Sequence, residues 1–259
     1  MRKLRQTDRF GIARFTRVFV AVGLTAVLLQ SNSWAQETKD KKAVPETSCE
    51  KPAAEKKDPY AWQELFDGKT LKGWKVPEFG GEGEVTVKDG TIVMEMGNSM
   101  TGITFAGKPP KNNYELLVEG SRLDGSDFFA TTTFPVGENC CSLVTGGWGG
   151  TVVGLSCIDF YDASDNFTTK FFDFKDKQWY TFRIRVTDAK IQAWIGDEQF
   201  VDQPRKGHRI GIRDEVDLCQ PLGVSSWDTK AALRKIRIRR LKPAEIKAEA
   251  AAAAKDEDK

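Results

Sequence analysis

At 259 residues, with 39 basic against 37 acidic side chains, the chain is close to neutral. That balance excludes a protein that grips nucleic acid through a strongly basic face. A single histidine excludes metal centres built from several imidazoles.

Arg2, Lys3, Arg5, Arg9, Arg14 and Arg17 precede an apolar run from Val18 to Leu29, and Ser33 and Ala35 take the small-residue positions of a signal-peptidase site. Residues 1–35 are therefore expected to be a signal peptide cleaved after Ala35, with an uncleaved anchor as the alternative. The run is about a dozen residues, short of the roughly 20 that span a bilayer, so no stable membrane span is expected after cleavage. The expected location is the periplasm, the cell surface or the extracellular space. Without the leader's six basic residues and one acidic residue, the balance becomes 33 against 36.

Residues 36–59 are Lys/Glu-rich, carry Pro45 and Pro52 and hold almost no large apolar side chain. Such a stretch cannot bury enough surface to fold and is expected to be a disordered, charged spacer. Residues 60–242 have the size of one domain. The Ala/Glu/Lys-rich tail, 243–259, has helix propensity but no apolar stripe.

Within the domain the periodicity is two. Phe182, Ile184 and Val186 alternate with Arg183 and Arg185; Ile191, Ala193 and Ile195 alternate with Gln192 and Trp194; Ile236 and Ile238 alternate with Arg237 and Arg239. This is the pattern of half-buried strands. Residues 179–202 read as strand, turn, strand, turn, short strand. Further strands are expected at 84–88, 91–96, 101–106, 113–123, 127–134, 151–158, 168–174, 208–213 and 222–226. About a dozen strands with short turns make an all-β sandwich or jelly roll. The outward arginines fit a solvated sheet face that discourages edge pairing.

Several residues carry possible chemistry. Asp159, Asp162 and Asp165 recur at intervals of three in "IDFYDASDN", where crowded carboxylates could hold a divalent metal ion such as Ca²⁺ or simply form a solvated loop. His208, flanked by Lys206 and Arg209, is either a general base or a surface residue. Trp148 in "GGWGG" is either a sugar platform or an inward-packed ring; Trp227 is a second such candidate. Asp214, Glu215 and Asp217 fit a polar loop. Cys49 is the odd cysteine of five. A bond from Cys140 or Cys141 to Cys157 or Cys219 is expected, with buried free thiols as the alternative.

The segments "LFDGKTLKGW", "VTVKDGTIVMEM", "NNYELLVEGSRL", "WYTFRIRVTDAKIQAWIGDEQFVD" and "LGVSSWDTKAALRKIRIRRL" together resemble the 3-keto-disaccharide hydrolase domain, across nearly all of residues 62–241. The resemblance implies a concanavalin A-like jelly-roll sandwich of two antiparallel sheets in an exported protein, acting on carbohydrate. It implies a base that removes the proton beside a 3-keto group, elimination of the C1 oxygen, and addition of water to the glycal. The chain departs from the family's Glu-x-Gln-x-x-Asp strand, placing Gly154 and Ser156 where Glu and Gln are expected and keeping Asp159. Trp227-Asp228 stands where many members have His-Gly. The resemblance retains Asp159 alone of that strand; with the residues singled out above, Asp159 and His208 stand as catalytic candidates, Trp148, Trp227 and Asp162 as sugar contacts, and Asp159, Asp162 and Asp165 as metal ligands. A binding module that kept the fold and lost the chemistry is the alternative.

Overall fold

The computed structural model describes residues 58–257; the expected signal peptide, nearly all of the spacer and Cys49 lie outside the described residues. The chain runs β1 (Gln63–Glu64), β2 (Trp74–Lys75), β3 (Val85–Lys88), β4 (Thr91–Met94), β5 (Met100–Phe105), β6 (Tyr114–Gly125), β7 (Thr131–Val136), β8 (Asn139–Gly146), a single turn α1 (Gly147–Gly150) and β9 (Val152–Ser156). It continues through β10 (Lys170–Phe171), β11 (Tyr180–Val186), β12 (Lys190–Ile195), β13 (Glu198–Pro204), a 3-10 turn (Asp214–Cys219), β14 (Gly223–Trp227), β15 (Thr229–Arg240) and the helix α2 (Pro243–Glu257).

Two antiparallel sheets form the sandwich. One has the order β13-β12-β11-β6-β15-β4-β3, with β1 paired to β15; the other has the order β10-β9-β8-β7-β14-β5-β2. Alternation is the cause. On β11 the pattern of buried and half-buried residues is strict, and Phe182 and Ile184 enter the core with Ile191 and Ala193 of the neighbouring strand. Facing them, Phe134, Leu143, Val153, Leu155 and Val224 come from the second sheet. Phe129 sits between Phe174 and Phe182 at centroid separations of 5.0 and 5.9 Å, edge contacts that add about 1 kcal/mol each beyond area burial.

The opening segment does structural work. Asp67 Oδ1 accepts from the N–H groups of Lys69 and Thr70, both at 2.7 Å, which closes a tight turn around Gly68 at φ 72°. Phe66 and Trp74 then enter the core, and Trp74 Nε1 donates to Leu65 O at 2.8 Å.

Four expectations need correction. β8 was not foreseen, because "NCCSLVTG" is buried along nearly its whole length and shows no polar face. The strand expected at 208–213 is irregular chain, tied to the segment after β9 by the Ile158–Ile210 bridge and by backbone hydrogen bonds between Cys157 and Gly211 and from Asp159 N to Arg209 O. The strand expected at 168–174 shrinks to Lys170–Phe171. The outward arginines are not simply solvated: Arg183, Arg185 and Arg239 converge on Glu115, whose side chain is 3% exposed. Arg183 stacks on Trp194 at 3.8 Å and Arg234 on Trp179 at 4.0 Å, so this face is an interlocked charge and ring layer.

The tail is a helix, α2. Among the described residues, no helix is long and apolar enough to cross a membrane. The disulfide expectation is also overturned: Cys140, Cys141, Cys157 and Cys219 are free thiols. The pleat explains part of this. Cys141 points into the core, where Sγ lies 3.8 Å from Ser156 O, while Cys140 points the other way, towards Pro221 O.

Candidate functional site

The outer face of the seven-stranded sheet carries the site. Since Phe134, Leu143, Leu155 and Val224 face the core, the alternate residues Thr131, Ser142, Val144, Ser156 and Trp227 face outward. They floor a cleft of about 210 Å³ whose rim is Asp127, Phe128, Trp148, Arg213, Glu215 and Val216. The floor is hydroxyl-bearing; Thr133 and Ser142 share a hydrogen bond of 2.9 Å beside it.

Each wall has a local cause. Trp148 is held out at 44% exposure by α1, where the backbone at Trp148 and Gly149 is left-handed. Gly150, at φ 102°, has no room for a side chain, because a Cβ would lie 2.8 Å from Arg122 Nη1 and 3.1 Å from Ser126 O. Asp127 ties this turn down: Oδ1 accepts from Phe128 N at 2.7 Å and Oδ2 from Gly149 N at 3.3 Å. Trp227 leans on Phe128 at 6.4 Å between centroids, and both pack on Met100, Val216 and Cys219, an apolar cluster separate from the main core. That cluster seats the 3-10 turn bearing Glu215.

Arg213 is the charged centre. Its Nε and Nη2 donate to Glu215 at 3.0 and 2.6 Å, and Nη1 donates to Asp162. The hydrogen-bonded Glu215 carboxylate pushes the Arg213 guanidinium upward, and Arg213 in turn holds the Glu215 carboxyl below its ordinary range. Glu215 is therefore an ionised acceptor at neutral pH. Three of five guanidinium donors are spent, which leaves two to face a ligand.

The residues singled out from sequence divide among three places. Trp148 and Trp227 line the cleft. Asp162 backs it through Arg213 and lies 3.5 Å from Ser156 Oγ. Asp159 and His208 come together, with Asp159 Oδ2 at 2.7 Å from His208 Nδ1, but neither lines the cleft. Asp159 Oδ1 also accepts from Arg209 N at 2.7 Å, and that backbone donor, followed by His208, lowers its pKa. His208 borders a separate cavity of about 570 Å³ with Arg205 and Arg209. Asp165 stays on the exposed loop and gives its backbone N–H to Asp162 O.

Asp159, Asp162 and Asp165 are thus not brought into one ligand set: the first is bound by His208 and Arg209, the second by Arg213. Among the described residues no group of three or more His, Cys, Asp or Glu side chains is arranged to hold a metal ion, so these donors do not fit a divalent cation.

Sequence reasoning missed Asp127 and Arg213 and passed over Glu215 as loop. The available signal was the run of small hydroxyl residues at alternate strand positions, Thr131, Ser142 and Ser156, which marks a polar sheet face with room above it. Gly154 shares that face, but the Ile158–Thr169 loop covers it: a Cβ there would lie 3.1 Å from Ala163 O, Thr168 O and Thr168 Oγ1.

The family model described as the 3-keto-alpha-glucoside-1,2-lyase-like domain matches residues 61–239. A search of curated proteins found no match. Among solved structures, the Crh5 transglycosylase in complex with NAG is similar at 12% identity and TM-score 0.51, covering 72% of this chain and 86% of that one. A putative glycosyl hydrolase from Parabacteroides distasonis is similar at 15% identity and TM-score 0.44, over 70% of this chain and 94% of that one. The carbohydrate-binding module CBM66 from Bacillus subtilis gives 11% identity and TM-score 0.42, over 64% and 95%. At these identities the likeness concerns the sandwich fold.

Proposed function

Because the chain belongs to the 3-keto-alpha-glucoside-1,2-lyase-like domain family, we propose that its cleft takes a 3-keto-glycoside and cleaves it by elimination followed by hydration. The observation that carries this reading is the cleft itself: two tryptophan walls, a hydroxyl floor and three charged groups, Asp127, Arg213 and Glu215, at one rim. Indole faces suit the C–H faces of a sugar ring, and carboxylate and hydroxyl oxygens suit its hydroxyls.

In this reading Asp127, whose carboxylate accepts hydrogen bonds from backbone N–H groups, takes the proton from C2. The two remaining donors of Arg213 stabilise the negative charge that moves onto the C3 oxygen. The C3 oxygen's charge returns to form the C1–C2 double bond as the C1–O bond breaks. The departing oxygen takes a proton from water in the open cleft, the hydroxide left behind recovers the proton held by Asp127, and a second water adds across the double bond. Glu215 orients a sugar hydroxyl. We further propose export, on the strength of the leader sequence; a mature N-terminus at Gln36 in the secreted protein is the expected finding.

The test is incubation of the full chain with 3-keto-glucosides in deuterated water. Wild type should release the aglycone and place deuterium at C2, and Asp127→Asn should slow both by about a hundredfold or more while still binding sugar. A binding-only domain is the second reading, favoured because Arg213 already neutralises Glu215 and Asp162. Binding without release or exchange by wild type would select it.

A further inference from the structure

The loop from Ile158 to Phe171 presents four large aromatic side chains to solvent: Phe160 at 72%, Tyr161 at 58%, Phe167 at 89% and Phe171 at 72% exposure. The described residues contain eight exposed large hydrophobics in all, so half of them fall in this one stretch. Such clustering marks a contact surface rather than scattered exposure.

The loop's backbone is also held in place, and with it the positions from which these rings project. Asn166 Nδ2 donates to Leu155 O at 2.8 Å, Tyr161 O at 3.1 Å and Asp162 O at 2.7 Å, while its Oδ1 accepts from Thr168 N and Thr168 Oγ1. Asp159 is fixed by His208 and by Arg209 N, and the Arg209 guanidinium lies over the Phe160 ring at 4.2 Å. A surface whose rings are positioned before binding loses less entropy when it binds.

Two of the rings, Tyr161 and Phe167, line a recess of about 510 Å³ together with Asp159, Ser164, Asp165 and Asn166. Aromatic faces alternating with carboxylate, amide and hydroxyl groups form the chemistry of a sugar platform. Asp159, Asp162 and Asp165 offset the nearby Lys170, Arg209 and Arg213, so the loop lacks the basic cluster that would hold an anionic lipid surface. The loop is continuous with the cleft: Ala163 packs with Val144, Val152 and Phe128, and Asp162 holds Arg213.

From this juxtaposition we infer that the Ile158–Phe171 loop is a second carbohydrate-binding surface, which takes a neutral glycan chain extending from the cleft. The inference rests on the carbohydrate reading of the cleft but not on its elimination chemistry.

The test compares the full chain with the double variant Phe160→Ser/Phe167→Ser in native affinity gels containing mixed-linkage β-glucan, dextran or arabinoxylan. Co-sedimentation with phosphatidylcholine/phosphatidylglycerol vesicles and turnover of small 3-keto-glucosides are measured in parallel. Wild type should be retarded by at least one polymer, and the variant should lose roughly tenfold in affinity with an unchanged melting temperature and unchanged small-substrate turnover. Equal retardation of both proteins, or no retardation of wild type by any polymer, overturns the inference. Loop-dependent vesicle binding without polymer binding overturns it in favour of a membrane contact. Loop-dependent retention without turnover supports the loop surface and removes the elimination reading alone.

Discussion

At the scale of single residues, the departure from the family's expected strand has a steric cause. Gly154 lies on the cleft-side face of β9, and the Ile158–Thr169 loop closes over it, so backbone and hydroxyl oxygens stand where a Cβ would go. A glutamate at that position would press on these loop oxygens and require them to give way. Gly154→Glu, which restores the expected family residue, should therefore not create activity. It should displace the loop and cost about 1–3 kcal/mol, the usual range for overpacking a closed site, read as a lowered urea midpoint and faster proteolysis between residues 159 and 169. Unchanged stability with a gain in turnover would sink this account. For the elimination proposed above, the same packing leaves the base role to a residue elsewhere, and Asp127, whose carboxylate accepts from backbone N–H groups, fits it in a way that Asp159, bound to His208 and Arg209, does not.

Among the elements, α2 is held by charge. Lys242 N donates to Glu245 Oε2 at 2.8 Å, so Glu245, three residues into the helix, closes its first turn, and Pro243 takes the first helical position. Glu245 also pairs with Arg239, and Glu249 with Arg185, on the outer face of the eight-stranded sheet. The Arg239 hydrogen bond is the main reason that the Glu245 pKa falls from its ordinary 4.5 to about 2. A carboxylate depressed on folding stabilises fully above its unfolded pKa, and the gain is lost as pH falls through the folded value. Acidification from pH 4.5 towards 2 should release α2 at a cost of on the order of 1–2 kcal/mol after solvent screening. An isolated alanine-rich helix of this length is marginal in water, so helical ellipticity at 222 nm should fall in that window while the tryptophan near-ultraviolet signal persists. Glu245→Gln should flatten the transition, and an unaltered one would show that α2 is held otherwise. These elements also explain what was legible beforehand. β11 and β12 announced themselves because their core face contrasts with arginine or glutamine outside. β8 did not, because its outward Ser142 and Val144, at the bottom of the cleft, are nearly as buried as its core-facing Cys141 and Leu143. Ile210 and Ile212 mimicked a strand while each packs on a different apolar cluster. The tryptophans of the cleft stood out by residue type, whereas Asp127 and Arg213 are ordinary loop residues until the sheet brings them to one rim.

The molecule as a whole is stabilised by burial between two sheets, not by covalent bridges, and this bears on the environment in which it can work. Each described cysteine is free, and the two deepest are chemically quiet. Burial pushes the Cys219 thiol up to about 12 and raises Cys141 well above the usual thiol range, which suppresses the reactive thiolate. Cys140 and Cys157 are half-buried, and their thiols are raised for the same reason. The domain should not need an oxidising environment to fold, since no cross-link joins the described residues. Alkylation of the native protein without reductant should label Cys140 and Cys157 slowly and leave Cys141 and Cys219 unlabelled. In denaturant all four should label, and the melting temperature should be the same with and without dithiothreitol. A disulfide-linked peptide in the unreduced digest, or a drop of several degrees on reduction, would mean that a covalent bridge supplements the core. The absence of both would leave the two-sheet core, with Trp74 and Phe129 among its buried rings, as the source of a stability that does not depend on redox conditions.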